Sequence, residues 1–286
     1  MTIGGHARIA GIVGWPVAHS LSPRLHNFWL AAHAIDGAYV PLPVQREDFA
    51  VVIRALRLAG FKGVNVTIPH KEAAFALADA TDEAAQAAGA ANLLLFSEIG
   101  LEARNTDAVG LTASLTQDLG RQGVQGKPVA VLGAGGAARA AIVTLASLGA
   151  GEIRVIGRER ARAEVLSRTF AGSSATPVHA YSWEDWPRAA HNIALLINAT
   201  SGGMNGGARL DLPLEPLPLN TVVCDLVYNP LETELLLGAR ALGHRTIDGL
   251  GMLIHQAVPA FEAFYGEAPK VTPALRAELK KALRHG

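Results

Sequence analysis

The sequence predicts an α/β fold in two domains, and three observations carry that reading. Short apolar segments alternate with helix-period segments along most of the chain, as they do where helices pack on a parallel or mostly parallel sheet. The turn-rich run "GRQGVQGKP" interrupts the alternation and marks a domain boundary. The length, 286 residues of which 50% are hydrophobic, suits two cores better than one.

The elements follow in order. "RIAGIVG", residues 8–14, opens as a strand, and helical stretches follow near 23–35 and 47–59. In "GVNVTIPHKEAAFALADA" Val64, Val66 and Ile68 alternate as a strand does. Pro69 suits a first helical position, and the alanine-rich run after it reads as helix. Lys71 then falls in the first helical turn, where the macrodipole disfavours a cation by about 0.3–1 kcal/mol at an exposed site. A helix from "NTDAVG" at 105–110 to about 119 closes the first series. The second series places strands near 129–132, 153–156, 194–197 and 221–225, with helices between them. The last 35 or so residues read as helical, with a loop containing two prolines.

Composition excludes several classes of function. Lys plus Arg equals Asp plus Glu at 25 each, so the chain shows no global electrostatic footprint for nucleic acid or an anionic membrane, and a small neutral or acidic ligand fits better. Cys224, the one cysteine, lies in the apolar run "TVVCDLV" and reads as a buried strand thiol; no internal disulfide is possible, and a reducing cytoplasm is the natural compartment. The amino terminus "MTIGGHARIAGIVG" lacks the pattern of a secretory signal, and no run approaches the ~20 apolar residues of a membrane span. His19, His26, His70 and His255 stand at no metal-ligand spacing, so no metal site is expected. The oligomeric state is not encoded, and a homodimer stays open.

"VAVLGAGGAARAA" carries the first chemical signal. Gly133, Gly135 and Ala138 occupy the positions of G-x-G-x-x-G/A, between an apolar strand and a helix, and a second strand at 153–156 completes the βαβ context. Such glycines permit a tight turn and close approach of backbone to a pyrophosphate at a helix amino terminus. After the second strand the chain reads "RVIGRERAR". Arg158 and Arg162 favour the 2′-phosphate of NADP, whereas Glu159 keeps NAD open, because a carboxylate there can grip the ribose hydroxyl.

The first half gathers polar residues in apolar surroundings: Ser20 and Ser22 in "AHSLSP", Thr67, Lys71, Asn92 in "AAN" and Asp107 in "NTD". Together they suit a polyhydroxylated carboxylic acid. Each also has a plain structural reading. The serines can cap the helix that follows, Asn92 can form a turn, Asp107 can start a helix, and Lys71 can reach solvent with Glu72 offsetting the dipole.

In order, these segments resemble the shikimate dehydrogenase family over about residues 8–265. "AHSLSP" is similar to its substrate-carboxylate loop, "NVTIPHKE" to its catalytic lysine segment, and "NTDAVG" to its catalytic aspartate segment. "GAGGAARA" is similar to its NADP loop, "NATSGGM" to a loop lining the cofactor, and "DGLGMLIHQA" to its carboxy-terminal substrate helix. The resemblance implies that Lys71 and Asp107 form the catalytic pair, that Ser20 and Ser22 hold the substrate carboxylate near Tyr228 of "DLVYNP", and that Thr67, Asn92 and Gln256 bind ring hydroxyls. It implies cofactor contacts from Gly133, Ala134, Gly135, Gly136, Ala137 and Gly249, with Arg158 and Arg162 on the 2′-phosphate. It also implies a substrate domain at 1–108, a Rossmann domain at 109–248 and helices at 249–286 returning to the first domain, with the active site in the cleft between the domains. The chain departs from the family's Asn-Arg-Thr segment at Gly157 and Glu159, where two polar contacts to the adenosine phosphate are missing and a carboxylate stands instead.

The activity implied is NADPH-dependent, reversible reduction of 3-dehydroshikimate to shikimate in aromatic amino-acid biosynthesis. Ketone reduction needs a hydride from nicotinamide and a proton from a group within about 2.6–3.2 Å of the carbonyl oxygen. Lys71, disfavoured by dipole and desolvation and countered by Asp107, would be that group. A quinate/shikimate dehydrogenase using NAD is the nearest alternative, and a non-catalytic dinucleotide sensor is one from another class.

Overall fold

The computed structural model describes residues 3–172 and 175–285. It divides into two units: Met1–Asp107 with Leu253–Gly286, and Ala108–Met252.

The first unit contains β1 (Arg8–Gly14), α1 (Ser22–Ala32), β2 (Gly37–Pro43), α2 (Phe49–Leu58), β3 (Gly63–Val66), α3 (Lys71–Leu77), β4 (Ala80–Thr81), α4 (Glu83–Ala88), β5 (Leu93–Phe96) and β6 (Leu101–Arg104). Its sheet runs β2-β1-β3-β5-β6-β4. β1 pairs in parallel with β2 and β3, but β5 is antiparallel to both β3 and β6. β4 and β6 are again parallel, so the sheet is mostly parallel as expected, and the hairpin of β5 and β6 supplies its antiparallel part. β2 escapes the hydrophobic pattern because Pro41 and Pro43 interrupt it; it is an edge strand, the place where a missing N–H is tolerated.

Two local expectations also change. β3 ends at Val66, and Ile68 is exposed. Pro69 does not open the helix; it lies in the turn before it on a cis peptide bond, and α3 starts at Lys71, behind His70 as N-cap.

The second unit holds most of α5 (Asp107–Leu119), then β7 (Pro128–Leu132), α6 (Gly136–Ser147), β8 (Glu152–Gly157), α7 (Arg160–Phe170), β9 (Val178–Ser182), α8 (Trp186–Ala189), β10 (Leu195–Asn198), β11 (Val222–Asp225), α9 (Glu234–Ala241) and β12 (Thr246–Ile247). All six strands are parallel, in the order β12-β11-β10-β7-β8-β9. Counted from β7, that is the 3-2-1-4-5-6 order of a dinucleotide-binding sheet, whose strand order reverses beside β7. Alternate residues of β7 feed different cores. Val129 and Val131 pack with α6 residues such as Ile142, whereas Ala130 and Leu132 pack with Trp186 and Leu236. Cover on both faces explains why "VAVL" is continuously apolar rather than alternating.

The chain leaves the first unit at Asp107 and re-enters it at Leu253, inside α10 (Leu250–Tyr265), rather than at 249. The reason is packing: Met252 belongs to the core of the second unit. α11 (Pro273–His285) follows. Of the two prolines expected in the preceding loop, Pro269 lies there and Pro273 begins the helix. Among the described residues no helix is long and apolar enough to cross a membrane.

Candidate active site

In the first unit the start of α3 meets the start of α5. The Lys71 ammonium donates to Asp107 Oδ2, and its side chain is 16% exposed. Lys71 therefore does not reach for solvent; a carboxylate offsets the unfavourable dipole at its helix terminus. Asp107 is itself buried, and its Oδ1 accepts from Asn92 Nδ2 at 2.9 Å. Asn92 Nδ2 also lies 2.9 Å from Thr106 Oγ1 and 3.2 Å from Gln256 Oε1 on α10. Its Oδ1 accepts the Thr106 backbone N–H at 2.8 Å. An ammonium, a carboxylate, an amide and a hydroxyl thus share one hydrogen-bonded network, and groups of these kinds can donate to and accept from the oxygen atoms of a polar ligand.

Ser20 and Ser22 sit at the entry to α1. Ser20 Oγ accepts the Ser22 N–H at 3.3 Å, so one serine does serve the helix start, although the formal N-cap is Leu21. Thr67 follows β3 and is half-buried, and a Cβ on Gly14 would fall 2.4 Å from its Cγ2. Glycine at 14 is what lets this threonine approach β1.

In the second unit the glycine turn lies between β7 and α6. Gly133 has φ +106, and a Cβ there would meet Thr200 Cγ2 at 3.0 Å and Ala199 O at 3.1 Å. Gly135, the N-cap, faces open space and offers no side-chain cap, so the first N–H groups of α6, those of Gly136 and Ala137 included, have no capping side chain. Open space, an uncapped helix start and no acidic residue in its first turn fit a phosphate group. Ala134 is half-buried against the core. Gly249 is fixed by crowding, since a Cβ would lie 2.4 Å from Leu226 O. Tyr228 lies in this unit, half-buried, on the segment after β11.

Arg158 follows β8 directly, is exposed and forms no ion pair among the described residues. Arg162 behaves differently. Its Nε bonds Glu159 Oε2 at 3.0 Å, so the unexpected carboxylate is held by the second arginine expected for the phosphate.

Sequence reasoning missed Thr106, Asn65 and Tyr39. Tyr39 donates to Asn65 Oδ1 at 2.7 Å, and Asn65 Nδ2 donates to Asn92 O at 3.1 Å, extending the network under Asn92. The available signals were an amide inside the apolar "GVNV" and a hydroxyl beside Asp107. His70 has a structural setting: it is buried, stacks on Phe49 and bonds Val44 O through Nε2 at 2.8 Å, and burial lowers its pKa. Cys224 is buried in β11, which raises the pKa of its thiol.

Comparison with known proteins places the chain in a family. Residues 12–94 match the family described as "Shikimate dehydrogenase substrate binding domain", and residues 115–205 match "Shikimate / quinate 5-dehydrogenase". The chain is 50% identical to a shikimate dehydrogenase (NADP(+)) of Paramagnetospirillum magneticum, with 96% of this chain and 98% of that protein covered. It is 49% identical to the one of Rhodospirillum rubrum, over 96% and 98%. The shikimate 5-dehydrogenase of Thermus thermophilus, solved with NADP(H) and shikimate, superposes with a TM-score of 0.82 at 35% identity, covering 97% of this chain and 99% of that one. With the two family segments matched and half the residues shared along nearly the whole length, the chain belongs to the shikimate dehydrogenase family.

Proposed function

We propose that this protein catalyses the NADPH-dependent, reversible reduction of 3-dehydroshikimate to shikimate, in the cytoplasm, as a step of aromatic amino-acid and chorismate biosynthesis. The single observation that carries the reading is the Lys71–Asp107 pair embedded in the Asn92–Gln256 network. NADPH, held at the glycine turn with Arg158 at its 2′-phosphate, supplies the hydride when bound. Lys71 Nζ delivers the proton to the oxygen that was the ketone and recovers it in the reverse direction, with Asp107 holding the ammonium in place. Ser20 and Ser22 receive the substrate carboxylate, and Thr67, Asn92 and Gln256 receive ring hydroxyls. Retention of both catalytic side chains in one hydrogen-bonded pair argues against a sensor that merely binds dinucleotide.

The deciding experiment follows nicotinamide absorbance with shikimate or quinate, each paired with NADP⁺ or NAD⁺. Turnover with shikimate and NADP⁺ is the expected result; cofactor binding without turnover for any pair would overturn the proposal. Glu159 favours a second reading, in which NAD and quinate are also used. Its carboxylate occupies Arg162 and opposes a phosphate, although an exposed pair of this kind is weak and exchanges readily. Glu159→Thr is therefore expected to raise the NADP⁺-over-NAD⁺ ratio of kcat/KM by roughly fivefold at low salt, and by less at high salt. An unchanged ratio would mean that Arg162 takes no part in reading the phosphate.

A further inference from the structure

We propose that Asp225 is a positioning residue for cofactor binding: its carboxylate ties together residues 198–203, which pack against Gly133 of the glycine turn, and residues 226–233, which begin against Gly249. The inference rests on the functional reading above.

Asp225 ends β11 and is 0% exposed. Its Oδ1 accepts from Asn198 Nδ2 at 2.9 Å and from the Val227 N–H at 3.0 Å, and its Oδ2 accepts from Thr233 Oγ1 at 2.7 Å. Each donor begins a further chain of contacts. Asn198 Oδ1 accepts both the N–H and the hydroxyl of Thr200, at 3.0 and 2.7 Å, and Thr200 Oγ1 accepts the Gly202 N–H at 2.9 Å. Thr233 caps α9 through the Leu236 N–H. The carboxylate therefore sets the path of the chain on both sides of it.

Both paths end at glycines assigned to the cofactor. Thr200 and Ala199 are the atoms a Cβ on Gly133 would strike, and Leu226 and Val227 are those a Cβ on Gly249 would strike. Residues 198–203 and 226–227 form the walls against which these two glycines pack. Tyr228 and Asn229 continue the second wall, and Asn229 is pinned by Asn205, whose Nδ2 donates to Asn229 Oδ1 at 2.9 Å.

A packing role alone does not account for the residue. Its neighbours Val223 and Cys224 fill their core positions without charge, whereas desolvation at Asp225 raises its pKa to about 6 against three hydrogen bonds that lower it. What an apolar side chain cannot supply is two acceptor oxygens pointing to two different segments.

The test compares Asp225→Ala, Asp225→Asn and Thr200→Val with the natural protein, using NADP⁺ titration by calorimetry and the KM values for NADP⁺ and shikimate. Asp225→Ala is expected to weaken NADP⁺ binding by about tenfold or more, and to raise the KM for NADP⁺ by more than that for shikimate, because displaced walls misplace the turn. Asparagine keeps an acceptor for Asn198 and Val227 and turns a donor toward Thr233 Oγ1, so Asp225→Asn is expected to bind within about threefold of the natural protein. Thr200→Val severs the first wall and leaves the carboxylate in place, and is expected to weaken NADP⁺ several-fold; it decides the matter if Asp225→Ala does not fold. Natural affinity in a folded Asp225→Ala or in Thr200→Val overturns the proposal, as does an Asp225→Asn variant no better than alanine. A natural protein that fails to bind NADP⁺ overturns the functional reading itself, which distinguishes the two failures.

Discussion

Lys71→Ala is expected to lower kcat by 10²-fold or more, the contribution typical of a lost general acid, while NADP⁺ affinity stays unchanged. The two readouts separate because Lys71 belongs to the first unit and the glycine turn to the second. A stability effect accompanies the loss. Asp107 is buried and keeps Asn92 as a side-chain donor after the ammonium is gone, so a carboxylate stripped of its counter-charge is expected to destabilise the fold by about 1–3 kcal/mol. Adding Asp107→Asn should recover much of that stability and none of the turnover. Urea unfolding and steady-state rates of the single and double variants measure both. Turnover within tenfold of the natural protein in Lys71→Ala would remove the proton-transfer role from this residue.

His26 gives the second large effect. It is fully buried, stacks on Tyr39 with ring centroids 4.0 Å apart, and meets Trp29 edge-on at 5.9 Å. Neither ring nitrogen has a hydrogen-bond partner, and burial lowers its pKa from 6.5 to about 3. Between those values the unfolded chain binds a proton that the folded chain does not. Stability therefore falls as pH drops through this window, by on the order of 4–5 kcal/mol from this group alone. His26→Phe keeps an aromatic ring, removes the unpaired nitrogens and abolishes this titration. It is expected to raise stability at neutral pH by about 1–2 kcal/mol and to flatten the decline between pH 6 and pH 3. Denaturant unfolding at several pH values measures the slope, and an unchanged slope would show that His26 is not the group titrating.

These effects differ in how much of them the sequence displays. The glycine turn is legible because strand, turn and helix are consecutive, and each residue answers a local requirement. Lys71 is legible as an oddity for the same reason: a helix start can be read from a proline and an alanine run, even though the start falls two residues after Pro69. The hairpin β5–β6 is less so, since "LLLF" has no alternation and its antiparallel partners are set by the sheet. The network around Asn92 is the least legible part. Its bond to Gln256 spans 164 positions and the Tyr39–Asn65 bond spans 26, distances over which no periodicity carries information. The burial of His26 has the same origin, because Phe261 and Phe264, which enclose it, come from the far end of the chain.

The group at Asn92 can hold its hydrogens in two ways. In one, Asn92 Nδ2 donates to Asp107 and Thr106, and the Thr106 hydroxyl turns to Gln256 Oε1; in the other, Nδ2 donates to Asp107 and Gln256, and the hydroxyl turns back to Asn92 Oδ1. The heavy atoms are the same in both, and so is the number of bonds. Thr106 Oγ1 is engaged as both donor and acceptor in the first and is left as an open acceptor in the second. A ligand hydroxyl approaching this group therefore meets one more open acceptor in the second arrangement than in the first, a difference made by hydrogens alone, with the backbone unmoved.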